Sequence, residues 1–156
     1  MRIRQRMAEN PTIHASAVLI GAKVALIRGP AGAGKSRLVL ALLQAAETGT
    51  LPFAWLVADD RAHVEACHGR LLIRPAEPLA GLLEIRGLGI RRLPFEPVAA
   101  VGLVIDLGEE SAKRLPPAEM CETSIAGIRL PRLAVAAGVE PLPLVLALLR
   151  TPAAGN

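Results

Sequence analysis

Apolar positions fall into short runs with two rhythms. Lys23–Arg28 is a compact apolar run that predicts a strand, and His14–Ile20 predicts another, with Gly21-Ala22 turning one back onto the other as a hairpin. Leu38–Leu43 continues without a breaker and predicts a buried helix running to about Ala46, closed by Thr48-Gly49-Thr50-Leu51-Pro52. Ala54–Ala58 is continuously apolar, as in a strand buried on both faces. His63–Ala66 and Arg70–Arg74 predict strands around a turn at His68-Gly69, although His63 and His68 themselves are expected to face solvent. Pro75 to Leu83 reads as a connection with one helical turn. Ala99–Leu107 predicts a central strand, Ile128–Leu133 an edge strand, and Leu142–Arg150 a last helix started by Pro141. Helices alternating with buried strands predict an α/β sheet with its ligand site at the strand C-terminal ends.

Between the first long strand and the first helix stands Gly29-Pro30-Ala31-Gly32-Ala33-Gly34-Lys35-Ser36. This is the phosphate-binding P-loop pattern G-x-x-x-x-G-K-[ST] in the strand–turn–helix setting it requires. Successive backbone N–H groups make a concave nest for phosphate oxygens, and the helix N-terminus adds partial positive charge. Lys35 supplies a point charge for the phosphates, and Ser36 a hydroxyl for Mg²⁺. Asp59-Asp60 follow directly on a buried strand, where one carboxylate can hold a metal and the other accept a proton from an attacking hydroxyl. Glu84-Ile85-Arg86-Gly87-Leu88-Gly89-Ile90 sets an acid and a base before two glycines. Its residues alone leave open a salt-bridged turn or a phosphate site, with Glu84 on Mg²⁺ and Arg86 balancing phosphate charge.

Composition narrows the functions available. The 156 residues are 52% hydrophobic but only 2% aromatic, so the core is aliphatic and base-stacking platforms for nucleic acid are not expected. The net charge of +4 suits an anionic nucleotide or an acidic partner. Cys67 and Cys121 stand apart, with no zinc spacing and no disulfide framework. No run has the length of a membrane span and no signal-peptide pattern opens the chain, which predicts a cytoplasmic location. Residues 1–12 are expected to be a lead-in, 13–150 one domain, and 151–156 a frayed tail.

His14-Ala15-Ser16, the P-loop, Val57-Ala58-Asp59-Asp60-Arg61 and Leu83–Ile90 occur in that order. Together they resemble the catalytic domain of the HPr kinase/phosphorylase family, in a short form without an N-terminal domain. The resemblance implies a P-loop domain of the HPr kinase/phosphoenolpyruvate carboxykinase-like type, with a mixed sheet and flanking helices. It implies ATP and Mg²⁺ as cofactors, Gly29 to Ser36 on the nucleotide phosphates, and Ser36 and Glu84 on the metal. His14, Lys35, Asp59 and Asp60 would be the catalytic residues, and Glu84–Ile90 the family's signature segment. The implied activity is phosphorylation of a serine on an HPr-type phosphocarrier, with phosphorolysis by inorganic phosphate releasing pyrophosphate in reverse. Such an enzyme regulates the phosphotransferase system, assembles as a homo-oligomer, a hexamer in this family, and needs neither nucleic acid nor membrane. The family's later active-site arginine has no clean match, with Arg129 and Arg132 as nearby candidates. A small-molecule P-loop kinase and a weakly catalytic nucleotide-binding module are the alternatives.

Overall fold

A computed structural model describes residues 11–154. The expected lead-in therefore falls mostly outside the described residues, as do the last two residues of the expected tail. The chain runs β1 (Ile13–His14), β2 (Ser16–Ile20), β3 (Lys23–Arg28), α1 (Lys35–Glu47), β4 (Ala54–Ala58), β5 (Arg61–Cys67) and β6 (Arg70–Pro75). It continues through a 3-10 turn at Glu77–Leu79 to β7 (Leu82–Ile85), β8 (Gly89–Arg92) and β9 (Ala99–Leu107). A second 3-10 turn (Ala118–Cys121), β10 (Glu122–Ile125), β11 (Ile128–Val135) and α2 (Pro141–Arg150) complete it.

The main sheet has the order β1-β5-β6-β9-β3-β2-β4 and is mixed. β3, β9 and β11 are parallel; the remaining pairs are antiparallel. β3 is buried on both sides, which is why its sequence is an unbroken apolar run. Ala25 and Ile27 face Leu38, Val39 and Leu42 of α1 and Val145 of α2, while Val24 and Leu26 face a second core with Leu71, Ile73 and Val104. In α1 the buried positions Leu38, Val39, Leu42 and Ala45 keep the spacing of one helical face.

The second core exists because the sheet curls. β1 and β2 stand near opposite ends of the strand order, yet only Ala15 separates them. β4 and β5 are also near opposite ends, joined only by Asp59-Asp60. A flat sheet cannot satisfy either connection, so the ends approach, and β4 touches β6 across the closed face. Ala15 N–H donates to Asp60 O at 3.2 Å and stitches the seam.

The structure corrects four expectations. The strand read over His14–Ile20 is two strands, because Ala15 carries the chain from one end of the sheet to the other. Ala54–Ala58 is the terminal strand of the order rather than an interior one; its Leu56–Val57–Ala58 half is buried by curling, while Trp55 stays exposed beside Phe53. Ile128–Leu133 is not a simple edge strand: β11 extends to Val135 and pairs with β10 along one half and β9 along the other. His63 lies in β5 and is half-buried, not in a loop facing solvent, whereas His68 is at the expected turn. Glu84–Ile90, whose residues alone left a turn or a phosphate site open, spans a β7–β8 hairpin apart from the main sheet.

Candidate active site

The parallel strand β3 delivers Gly29 next to the end of β9. A Cβ on Gly29 would lie 3.0 Å from the Leu107 carbonyl oxygen, so a side chain there would push the loop off the sheet. Gly34 occupies the N-cap of α1 with φ 99, a left-handed geometry that favours glycine, and no side chain caps the helix. The first turn carries no acidic residue either. Its free N–H groups are left for an external anion. Lys35 is buried, and its Nζ donates to the carbonyls of Gly29 at 2.8 Å and Pro30 at 3.2 Å, bridging the mouth of the loop.

Asp59 is 7% exposed and gathers three neutral donors. Its Oδ1 accepts from Ser36 Oγ at 2.7 Å and from Ser16 Oγ at 2.8 Å. Its Oδ2 accepts from the Glu84 backbone N–H at 3.3 Å. The carboxylate thus ties the P-loop helix, β2 and the β7–β8 hairpin together. Asp60 is different. Its φ of 69 turns it out of the strand, a conformation Asp tolerates better than most residues. Its backbone N–H donates to Ser16 Oγ at 3.1 Å. Its carboxylate points to solvent, with Oδ1 3.7 Å from His14 Nδ1; both side chains are 63% exposed.

The residues expected from sequence therefore divide into a buried layer and an exposed layer. Lys35, Ser36 and Asp59 line the loop floor, and His14 and Asp60 stand at its rim. Ser36 Oγ beside the Asp59 carboxylate is a pair of hard oxygens of the kind Mg²⁺ prefers. Glu84 meets this group through its backbone, and its side chain is exposed. Among the described residues no cluster of three or more His, Cys, Asp or Glu is spaced to hold a metal by itself. The remaining signature residues form the hairpin tip, where Leu88 and Ile90 are exposed.

Two further features escaped the sequence reading. Ser16 joins both aspartates, but a lone serine in an apolar strand carries no signal. A second carboxylate centre lies at the ends of β3 and β9. Arg28 grips Asp106 with Nε to Oδ1 at 2.7 Å and NH2 to Oδ2 at 2.9 Å. Arg132 Nε donates to Asp106 Oδ2 at 2.6 Å and its NH2 to Glu109 Oε2 at 3.1 Å. Burial alone would raise the Asp106 pKa; the hydrogen bonds and charges of Arg28 and Arg132 outweigh it and hold the carboxyl below its ordinary value. Arg132 is thereby committed to carboxylates and is not free for phosphate, and Arg129 is exposed beside Glu122 at 3.9 Å.

No family model matches the chain. The HPr kinase/phosphorylase of Streptococcus thermophilus is 40% identical over 89 residues, which cover 56% of this chain and 26% of that protein. The HPr kinase/phosphorylase of Clostridium tetani is 31% identical over 90 residues, covering 58% of this chain and 27% of that protein. The matches thus span about a quarter of these curated relatives' length. The solved structure of the Hpr(Ser) kinase/phosphatase from Coxiella burnetii superposes with a TM-score of 0.71 at 28% identity, covering 90% of this chain and 95% of that one. The chain is thus similar to HPr kinase/phosphorylases over a little more than half its length, and its mixed sheet with both described helices on one face is the HPr kinase fold.

Proposed function

We propose that the protein is an ATP- and Mg²⁺-dependent serine kinase/phosphorylase of the cytoplasm that acts on an HPr-type phosphocarrier and so regulates the phosphotransferase system. The observation that carries this reading is the convergence at one loop of an uncapped helix N-terminus, Lys35, a Ser36–Asp59 oxygen pair and an exposed Asp60. Mg²⁺ bound at Ser36 and Asp59 would offset phosphate charge. The loop N–H groups and Lys35 hold and orient the nucleotide phosphates, Lys35 exchanging its loop carbonyls for phosphate oxygens. Asp60, outside the buried layer, is the group a substrate serine can reach. It takes the hydroxyl proton as the serine oxygen bonds to the terminal phosphorus and the bond to the ADP oxygen breaks. His14 sits beside Asp60 and receives or balances that proton. In reverse, a phosphate oxygen attacks phosphoserine, pyrophosphate forms, and the serine oxygen recovers the proton from Asp60.

The test is incubation of the pure protein with γ-labelled ATP, Mg²⁺ and a purified HPr-type carrier, followed by mapping of the label. Label on a carrier serine, and its release as pyrophosphate when phosphate is added, is the expected result. Lys35→Ala lowers transfer by about a hundredfold or more with the fold retained, as loss of a charge-stabilising group does. Label on a metabolite, or bound ATP with no transfer, overturns the reading in favour of a small-molecule kinase or a regulatory module.

A further inference from the structure

Two sides of the phosphate loop carry opposite charge. Asp59 and Asp60 follow β4, which pairs with β2 on one flank of β3. On the other flank lie β9 and, beyond it, β11. Arg37, in the first turn of α1, stands on that second flank, lining a cleft with Leu107 and Gly108 after β9 and Val135 at the end of β11. Its guanidinium lies over Gly34, where a Cβ would meet Arg37 Nη2 at 3.6 Å and Nε at 3.8 Å. Lys35 Nζ is engaged with two loop carbonyls, and Arg28 and Arg132 hold Asp106. Arg37 is exposed and makes no ion pair among the described residues. It is a cation at the phosphate loop, away from Asp60, that no carboxylate holds.

Resting on the phosphoryl-transfer reading above, we propose that Arg37 is a specificity-determining residue that serves the nucleotide-driven reaction alone and so favours phosphorylation over phosphorolysis. Transfer to a serine requires the γ-phosphorus beside Asp60. A triphosphate seated on the loop then runs from Asp60 toward the opposite flank, and its α-phosphate is the group that meets the guanidinium. The planar fork of an arginine matches two phosphate oxygens at once. Phosphorolysis needs no such group. There the attacking inorganic phosphate takes the β position, and one of its oxygens bonds to the phosphoserine phosphorus. The serine oxygen leaves and takes a proton, and pyrophosphate fills the β and γ positions only. Nothing then reaches Arg37. The α-phosphate does not react, so its contact with Arg37 is the same before and during transfer. Such a contact lowers KM for ATP and leaves kcat unchanged.

The test measures both reactions, and equilibrium binding of ADP and pyrophosphate, in the full chain and in Arg37→Ala and Arg37→Lys. Arg37 is exposed and alanine favours a helix, so both variants are expected to fold, which thermal unfolding checks. Arg37→Ala raises KM for ATP by about tenfold or more, the scale of a hydrogen bond to a charged group, and leaves kcat within about twofold. Its kcat/KM for phosphate in phosphorolysis stays within about twofold of wild type. The Kd for ADP rises by the same factor as KM for ATP, and that for pyrophosphate does not move. Arg37→Lys keeps the charge without the fork and falls between wild type and Arg37→Ala. An unchanged KM for ATP overturns the inference, and so does an equal loss in both reactions. A wild-type protein that neither labels the carrier nor releases pyrophosphate overturns the serine-kinase reading instead. ADP and pyrophosphate binding then still decide whether Arg37 meets the α-phosphate.

Discussion

Asp59 and Asp106 are both buried carboxylates near strand ends, 7% and 8% exposed, yet their surroundings oppose each other. Asp106 is saturated by two guanidinium groups, one of which also holds Glu109. Among the described residues Asp59 meets only neutral donors, two hydroxyls and one backbone N–H. Cations built into the chain fix Asp106 as a strut that ties β3, β9 and β11 together. Asp59 makes no ion pair among the described residues, and its hydroxyl partners can turn toward another ligand. Burial alone does not mark a carboxylate as functional; the identity of its donors does.

The sharpest way to break this comparison is to neutralise the carboxylates one at a time. Asp59→Asn and Asp60→Asn are each expected to lower phosphoryl transfer by about a hundredfold or more, measured with labelled ATP and carrier. Asp59→Asn should also raise the Mg²⁺ concentration needed for half-maximal rate, and Asp60→Asn should not. Undiminished transfer in both variants would remove the assignment of roles to the pair.

Asp106→Asn should do the reverse. It leaves Arg28 and Arg132 facing a neutral amide and costs about 3 kcal/mol, as breaking a partly buried ion pair does. That is a fall of about 6–12 °C in Tm for a domain of this size, with transfer per folded molecule retained. A stability loss in Asp59→Asn as large as that in Asp106→Asn would erase the contrast between the centres.

Acid sharpens it further. The Asp106 pKa is lower folded than unfolded, so its stabilisation is complete above the unfolded carboxylate value near about 4 and disappears as pH falls through the lowered folded value. The stability gap between wild type and Asp106→Asn should be constant from about pH 5 upward and narrow below about pH 4 in denaturant titrations. A gap that widens on acidification would contradict the arginine clamp.

The smallest effect is expected at Ser16. Ser16→Ala removes the hydroxyl shared by Asp59 and the Asp60 N–H, costing about 1 kcal/mol and a few-fold in transfer rate. A larger rate loss than that of Asp59→Asn would make Ser16 more than a spacer between the aspartates.

The legible parts of this protein are those whose causes lie within a few residues. The P-loop needs a strand, glycines at fixed offsets and a helix start, and all lie between Lys23 and Glu47. β9 and α2 were readable because their apolar runs and flanking prolines act locally. β10 and the hairpin geometry of Glu84–Ile90 were not, because polar, glycine-containing segments take their pairing from what surrounds them. Arg132 looked like a candidate anion ligand until β11 placed it against Asp106 and Glu109.

The sequence by itself determined that a P-loop pattern stands between a strand and a helix, that the core is aliphatic, and that a pair of aspartates follows a strand. Only the tertiary structure decided where each aspartate is placed. The one-residue link at Ala15 and the two-residue link at Asp59-Asp60 force the sheet to curl until its ends meet. At that seam Asp59 turns inward to Ser16 and Ser36, and Asp60, with its left-handed φ, turns outward to His14. Adjacent residues in an extended chain point to opposite sides, but which side becomes the phosphate floor depends on how distant strands close, and no local pattern carries that information.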